Sequence, residues 1–383
     1  VPRFFMPFNQ RKKLFIAIWD LGKVNILFMT TLLKQPTKRV EYIDALRGFT
    51  MILVVFSHII LHSLDITNSF VNSIFISFRM PLFFFVSGFI GFKLISWDRN
   101  TYLAMNKNKF LYQLLPTLIL GIIYTYICLH FNLMDFILHS KKLGYWFTIV
   151  MFEMYLILYT LNLCIYNSNF KIFEKRLLVS LALLSILSFC LWIVFSKFPH
   201  KLVDVFNLWD LCKYFPYFAF GIICSMNKDL FHRILENKWV TFVIILLFCI
   251  GFYVYHFYLS GASDVILILL GFVISCLIGF AGLLIVYNTF RVYKDSFSSD
   301  KKIGRMLQYI GKRTLEIYLL HYFFLPTLPW VGDMLSKYNN AVLELFIGLF
   351  ISLIVIAVCL VVSNILRTNP ILAKYLCGVK SKR

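Results

Sequence analysis

The stretch YIDALRGFTMILVVFSHII, Tyr42 to Ile60, decides the fold. Two charges, Asp44 and Arg47, stand at its mouth, and an apolar run follows with His58 inside it. A helix rises 1.5 Å and turns about 100° per residue, so the step from Arg47 to His58 covers about 16 Å and about 20° more than three full turns. Arg47 and His58 therefore share one face. Asp44, one turn earlier, lies on the same stripe and is placed to pair with the guanidinium at i,i+3. A helix that carries this stripe through an apolar run is a membrane span with an ionisable group near mid-bilayer.

The rest of the chain fits such a setting. Its 383 residues are 60% hydrophobic and 18% aromatic, with 42 phenylalanines and only 15% charged residues. Soluble domains average about 45–50% apolar and about 25% charged. Apolar runs long enough for the roughly 30 Å hydrocarbon core recur along the chain. They predict ten spans, at about 45–63, 70–95, 111–131, 145–166, 177–196, 208–226, 239–259, 264–290, 313–334 and 341–366. The fold class is all-α, a polytopic membrane bundle.

The net charge of +20 does not indicate nucleic acid. Lys and Arg crowd into alternate connecting segments, as the positive-inside rule requires, which predicts both termini in the cytoplasm. The nine cysteines are scattered singly and form no metal-ligand spacing, so no metal is expected. Residues 1–38 read as a basic, partly amphipathic segment, with Met29 a candidate native start. Residues 39–366 read as the membrane domain and 367–383 as a basic cytoplasmic tail. No internal repeat of the transporter kind is evident.

A charge inside a span costs at least about 2.5–3.5 kcal/mol, so each one marks a candidate site. Arg79 falls about 13 Å into span 2. Glu153 falls at a similar depth in span 4, with Trp146 two turns earlier on its face. Glu316 opens span 9 and His321 follows about 12 Å in. Depth alone predicts that His58, Arg79, Glu153 and His321 meet in one water-accessible cavity. A plainer expectation is an Arg79–Glu153 ion pair, with the histidines bonded across helices.

Several of these stretches resemble one family. RVEYIDALRGFTMILVVFSH is similar to the entry of the acyltransferase 3 membrane O-acyltransferases, where an arginine, ten residues and a histidine open span 1; here these are Arg47 and His58. SFRMPLFFFVSGFIGF resembles the second-span signature, with Pro81, Leu82, Phe83, Phe84, Ser87, Gly88 and Phe89 in place. GYWFTIVMFEMYLI and IGKRTLEIYLLH are similar to later signatures, the second ending at His321. The resemblance covers about residues 39–366, and fucose 4-O-acetylase-like members look nearest. Two positions depart from it. Such relatives usually carry a histidine where Arg79 stands. Many have paired arginines leading to a proline after span 2, where this chain has Lys107 and Lys109, with Gln113 at an expected arginine.

The resemblance implies transfer of an acyl group, most often acetyl, from cytoplasmic acetyl-CoA to a hydroxyl of a cell-surface glycan or its lipid-linked precursor. A bacterial inner membrane is the expected setting, with membrane lipid and a saccharide acceptor as partners. The stand-alone form, without a hydrolase-like domain after span 10, is the expectation. In that frame His58 is the expected general base, with a covalent acyl-histidine as a variant. Arg47, Lys93, Lys107, Lys109, Lys312 and Arg313 offer charge to the phosphates of CoA. Glu153 or Glu316 is expected to orient an imidazole, and Arg79 or His321 to hold the oxyanion. Ser87 reads as a small residue that lets helices approach, rather than a nucleophile. The competing readings are a transporter or flippase of a glycan intermediate and an N-acetyltransferase of terminal amino sugars.

Overall fold

A computed structural model describes residues 39–92, 95–198, 201–261 and 263–380. The expectations for the N-terminal segment 1–38, Met29 included, and for Lys93 lie outside the described residues. From Glu41 onward the described chain is helical, without a strand among the described residues.

Helix α1 (Glu41–His58) begins with Glu41 and Asp44 in its first turn, where acids suit the helix dipole, and runs directly into a π-helical turn at Ile59–Ser63. Helix α2 (Phe70–Gly91) starts on Ser69, whose hydroxyl accepts from the Asn72 amide at 2.9 Å. Then come α3 (Arg99–Lys109), a second π turn (Phe110–Leu114), α4 (Leu115–Ile127) and the short α5 (Leu133–Leu138). After a 3-10 turn at Lys142–Gly144 follow α6 (Trp146–Ile165), α7 (Phe170–Lys197), α8 (Lys201–Val205), α9 (Leu208–Met226) and α10 (Lys228–Glu236). The chain continues through α11 (Lys238–Val254), a π turn at Tyr255–Leu259, α12 (Val265–Val292) and α13 (Lys302–Lys312). It ends with α14 (Thr314–Leu320), a 3-10 turn (His321–Phe324), α15 (Pro329–Tyr338), α16 (Ala341–Leu366) and α17 (Pro370–Tyr375).

Eight helical stretches are long and apolar enough to cross a membrane: Glu41–Ser63, Phe70–Gly91, Arg99–Ile127, Trp146–Ile165, Phe170–Lys197, Lys238–Leu259, Val265–Val292 and Ala341–Leu366. Two of the ten expected spans take other forms. The sixth is the continuous helix α9, but Asp210, Lys213 and several ring-bearing polar residues dilute its hydropathy. The ninth is broken. After Phe324 the sequence LPTLP has prolines at 326 and 329, which donate no amide hydrogen to a helix ladder, and the chain runs extended before α15. The Leu328 amide donates instead to the Ser63 carbonyl at 2.8 Å, fastening the break to the π turn of α1.

Helix α1 is the hub of the bundle, with nearly all of its residues buried. It meets α13 at an unusually close crossing: a Cβ on Gly48 would strike the Leu307 carbonyl, and one on Gly311 the Asp44 carbonyl. Helices α2 and α9 cross the same way, with Gly88 against the Phe218 carbonyl and Gly221 against the Phe85 carbonyl. The Ser-Gly-Phe signature thus has its glycine at a helix crossing, as close packing requires. The C-terminal tail folds back as α17, and Lys380 lies 5.5 Å from the centre of the Tyr112 ring.

Candidate active site

Two cavities open along one face of α1, at successive depths, and Met80 lines both. The first, about 240 Å³, has Arg47, Ser87, Lys109, Gln113, Thr314 and Tyr318 among its walls. The second, about 580 Å³, has His58, Arg79, Lys141, Trp146, Tyr214 and Tyr322 among its own. The eleven-residue stripe of α1 connects them.

In the first cavity, Arg47 is held from two sides. Its Nη1 is 3.6 Å from Asp44 Oδ1, the expected i,i+3 pair, and its Nη2 donates to Thr314 Oγ1 at 2.9 Å. Lys109 Nζ lies 3.3 Å from the centre of the Tyr155 ring and donates to Gln113 Oε1 at 3.4 Å. Gln113 Nε2 in turn donates to the Thr148 carbonyl at 3.1 Å. The π turn Phe110–Leu114 follows Lys109 directly, and such widened turns frequently occur at functional sites.

In the second cavity the two histidines form a directed pair. His321 Nδ1 faces the carbonyls of Tyr318 at 2.8 Å and Ile317 at 3.2 Å, so that nitrogen carries the hydrogen. In the neutral ring its Nε2 is then an acceptor. It lies 2.9 Å from His58 Nδ1, which therefore donates. By the same logic His58 Nε2 is left with its lone pair. That atom faces the Tyr322 hydroxyl at 3.5 Å, on the cavity side. His321 is fully buried behind His58 and has both nitrogens engaged.

The broken ninth span makes this pair possible. Helix α14 ends at Leu320, and the 3-10 turn sets Tyr322 beside His321 with ring centres 4.2 Å apart. The loop opposite is fastened in the same region. Tyr318 donates its hydroxyl to the Gly144 carbonyl at 2.7 Å, and Tyr145 donates to the Leu319 carbonyl at 3.0 Å. Gly144 needs its glycine: its φ is +106°, and a Cβ there would strike the Tyr322 ring. Lys142 is buried in the same loop and donates to the carbonyls of Ile137, His139 and Asp204. Burial pulls its pKa down to about 8.

Lys141, next to it, grips both oxygens of Asp210 at 2.6 and 2.7 Å. Its Nζ is also 5.0 Å from the Trp146 ring centre. Trp146 stacks on Tyr214 at 5.6 Å, and Tyr214 on Phe84 at 5.0 Å, giving the second cavity an aromatic wall.

Other expected residues lie elsewhere. Glu316 is fixed by Arg367 and Ser363, with Arg313 Nη1 at 3.7 Å. Arg313 donates to Ser363 and Asn364 and lines neither cavity. Glu316, Arg313, Ser363 and Arg367 form a partly buried clasp between α14 and the end of α16. Lys107 and Lys312 are exposed and line neither cavity. Glu153 also reaches neither cavity and makes no ion pair among the described residues, while Arg79 donates to the Val54 carbonyl at 3.2 Å. The expected Arg79–Glu153 pair does not form. Among the described residues no carboxylate touches either imidazole; the Tyr318 and Ile317 carbonyls orient the pair instead.

Residues 40–362 match the family model described as the acyltransferase domain of the acyltransferase 3 type. The chain belongs to that family. No curated protein and no solved structure matches it.

In this membrane acyltransferase several site residues escaped the sequence reading. Tyr322 follows the motif histidine directly but carries no charge to single it out. Asp210 carried a usable signal: it is an acid within an expected span, and the rule that singled out Arg79 applies to it equally. Lys141 lies between the expected spans 111–131 and 145–166, and only the fold sets it against Trp146.

Proposed function

We propose that this acyltransferase moves an acetyl group from acetyl-CoA, bound on the Arg47 side, to a hydroxyl of a glycan or lipid-linked saccharide in the cavity of His58. The observation that carries this reading is the directed histidine pair, which leaves His58 Nε2 as an acceptor facing the second cavity. Nε2 takes the proton of the acceptor hydroxyl as its oxygen attacks the thioester carbonyl. The Tyr322 hydroxyl is the nearest donor for the oxyanion that forms. Collapse breaks the carbon–sulfur bond, and the imidazolium returns its proton to the departing thiolate. The products are the ester and CoA, with His58 restored.

Arg47 and Lys109 are the cations of the first cavity, suited to the phosphates of CoA. The positive-inside pattern puts that side in the cytoplasm, where CoA is available, and a bacterial inner membrane fits the composition. Neither Lys107 nor Arg313 shares this role, since neither reaches the cavity. Asp44 and Thr314 hold the Arg47 guanidinium in place, and Ser87 contributes a small side chain to the wall. The nearness to fucose 4-O-acetylases rests on the sequence signatures.

The test is made in cells. Where His58→Ala replaces the wild type, mass spectrometry shows surface glycans without their acetyl groups while the protein remains in the membrane. Unchanged acetylation would overturn the reading, and lost export with acetylation intact would indicate a transporter. For the donor side, Arg47→Ala and Lys109→Ala each raise the KM for acetyl-CoA about tenfold, the loss of one charge-assisted hydrogen bond. An unaltered KM in both variants removes them from the donor site.

A further inference from the structure

Arg79 is buried, only 9% exposed, and stands in the wall of the second cavity. Its Nη1 donates to the Val54 carbonyl, while its Nε is buried and meets no acceptor of the described chain. No carboxylate pairs with it: the ion pairs among the described residues do not include Arg79, and no Asp or Glu lines the cavity. The cavity's other strong cation, Lys141, is already matched by Asp210. A guanidinium held in low dielectric without a counter-charge is strongly unfavourable. Intramembrane cations of this kind pair with opposite charge or with backbone carbonyls, face water-filled cavities, and mark substrate paths; Arg79 has one carbonyl and a cavity.

From this we infer that the acceptor is itself anionic, a saccharide whose carboxylate or phosphate docks on Arg79 while its hydroxyl points at His58. The inference rests on the acyltransferase reading and names the acceptor's chemical class. The neighbouring groups suit it. Trp146, half-buried and backed by Tyr214 and Phe84, offers a flat face to a sugar ring. A guanidinium forms up to two parallel hydrogen bonds to a planar carboxylate, or to two phosphate oxygens. Arg79 Nη1, on α2, is tied to the carbonyl of Val54, one turn before His58 on α1, so α1 carries the base and also anchors the guanidinium.

Binding tests this independently of catalysis. The full chain is reconstituted in nanodiscs of zwitterionic lipid without acyl-CoA, and three probes with the same tail are titrated: octyl glucuronide, octyl glucoside and octyl phosphate. The glucuronide and glucoside differ in one carboxylate. Wild-type protein is expected to bind the glucuronide, the phosphate or both at least tenfold more tightly than the glucoside. Preference between the two anions identifies a uronic acid or a phosphate as the source. Arg79→Gln removes the preference, and Arg79→Lys keeps part of it.

Equal binding of glucoside and both anions by the wild type overturns the inference even if the variants fold poorly. A preference that survives in well-folded Arg79→Gln overturns it as well. If the acyltransferase reading itself is wrong, the glucuronide, whose sugar hydroxyls could accept an acetyl group, binds in this way but releases no CoA when acetyl-CoA is added; octyl phosphate has no such hydroxyl and reports on binding alone. The two failures are therefore distinguishable.

Discussion

Removing the His58 imidazole as His58→Ala lowers the rate of CoA-thiol release in the presence of acceptor by about a hundredfold to ten-thousandfold, the range a positioned general base supplies. The protein should stay folded, because His58 lines a cavity together with Tyr322, and its one short hydrogen bond is to His321. His321→Ala is a different experiment. It leaves the Nε2 of His58 in place but removes the acceptor that fixes the proton on Nδ1. The ring then samples the tautomer with a proton on Nε2, which cannot act as base. The expected loss is smaller, about tenfold to a hundredfold. His321→Gln, which offers a side-chain oxygen in the same region, should recover part of it. The two losses should not add in the double mutant, because His321 acts only through His58. Full additivity would mean that His321 has a separate task.

The second large effect is on stability. Gly311→Val puts a branched side chain where the Asp44 carbonyl already touches the glycine, and Gly48→Val does the same at the Leu307 carbonyl. Both obstacles are backbone atoms that no rotamer change relieves. Helices α1 and α13 must move apart, at about 3 kcal/mol or more for a forced overpacking. The movement also separates Arg47 from Thr314, which follows α13 by two residues. Size-exclusion chromatography in mild detergent should show loss of the monodisperse peak. Whatever protein remains folded should have a raised KM for acetyl-CoA. Gly271→Ala is the control: it lies within a helix, and a Cβ there comes no nearer than 3.9 Å to its neighbours. It should retain the peak and the KM.

The stripe on α1 was legible because two charges in a fixed helical step leave little freedom. Arg47, Asp44 and His58 fall where helix geometry puts them, and His321 reaches the same level from α14. Depth alone misplaced Glu153. Being level with Arg79 says nothing about which way a side chain turns, and the helix axes decide that. Glu316 failed for a related reason: a buried acid in the first turn of a helix has the same sequence signature whether it faces substrate or an arginine from another helix. Here Arg367, far along the chain, takes it. The ninth span was drawn as continuous because its apolar content is high. Its prolines were visible, but their effect depended on the Ser63 carbonyl being there to receive the Leu328 amide.

The histidine pair also bears on bioenergetics. A membrane that stores energy as a proton gradient cannot tolerate a wire of titratable groups running from one face to the other. His58 and His321 would begin such a wire, but the last hydrogen bond ends on the carbonyls of Tyr318 and Ile317. A peptide carbonyl accepts a hydrogen bond and passes no proton onward. The relay is a blind alley, and a proton taken up at Nε2 must leave by the same atom. Acyl transfer by this chain is thus expected to carry no proton from one side of the membrane to the other, so turnover neither drains nor draws on the proton gradient.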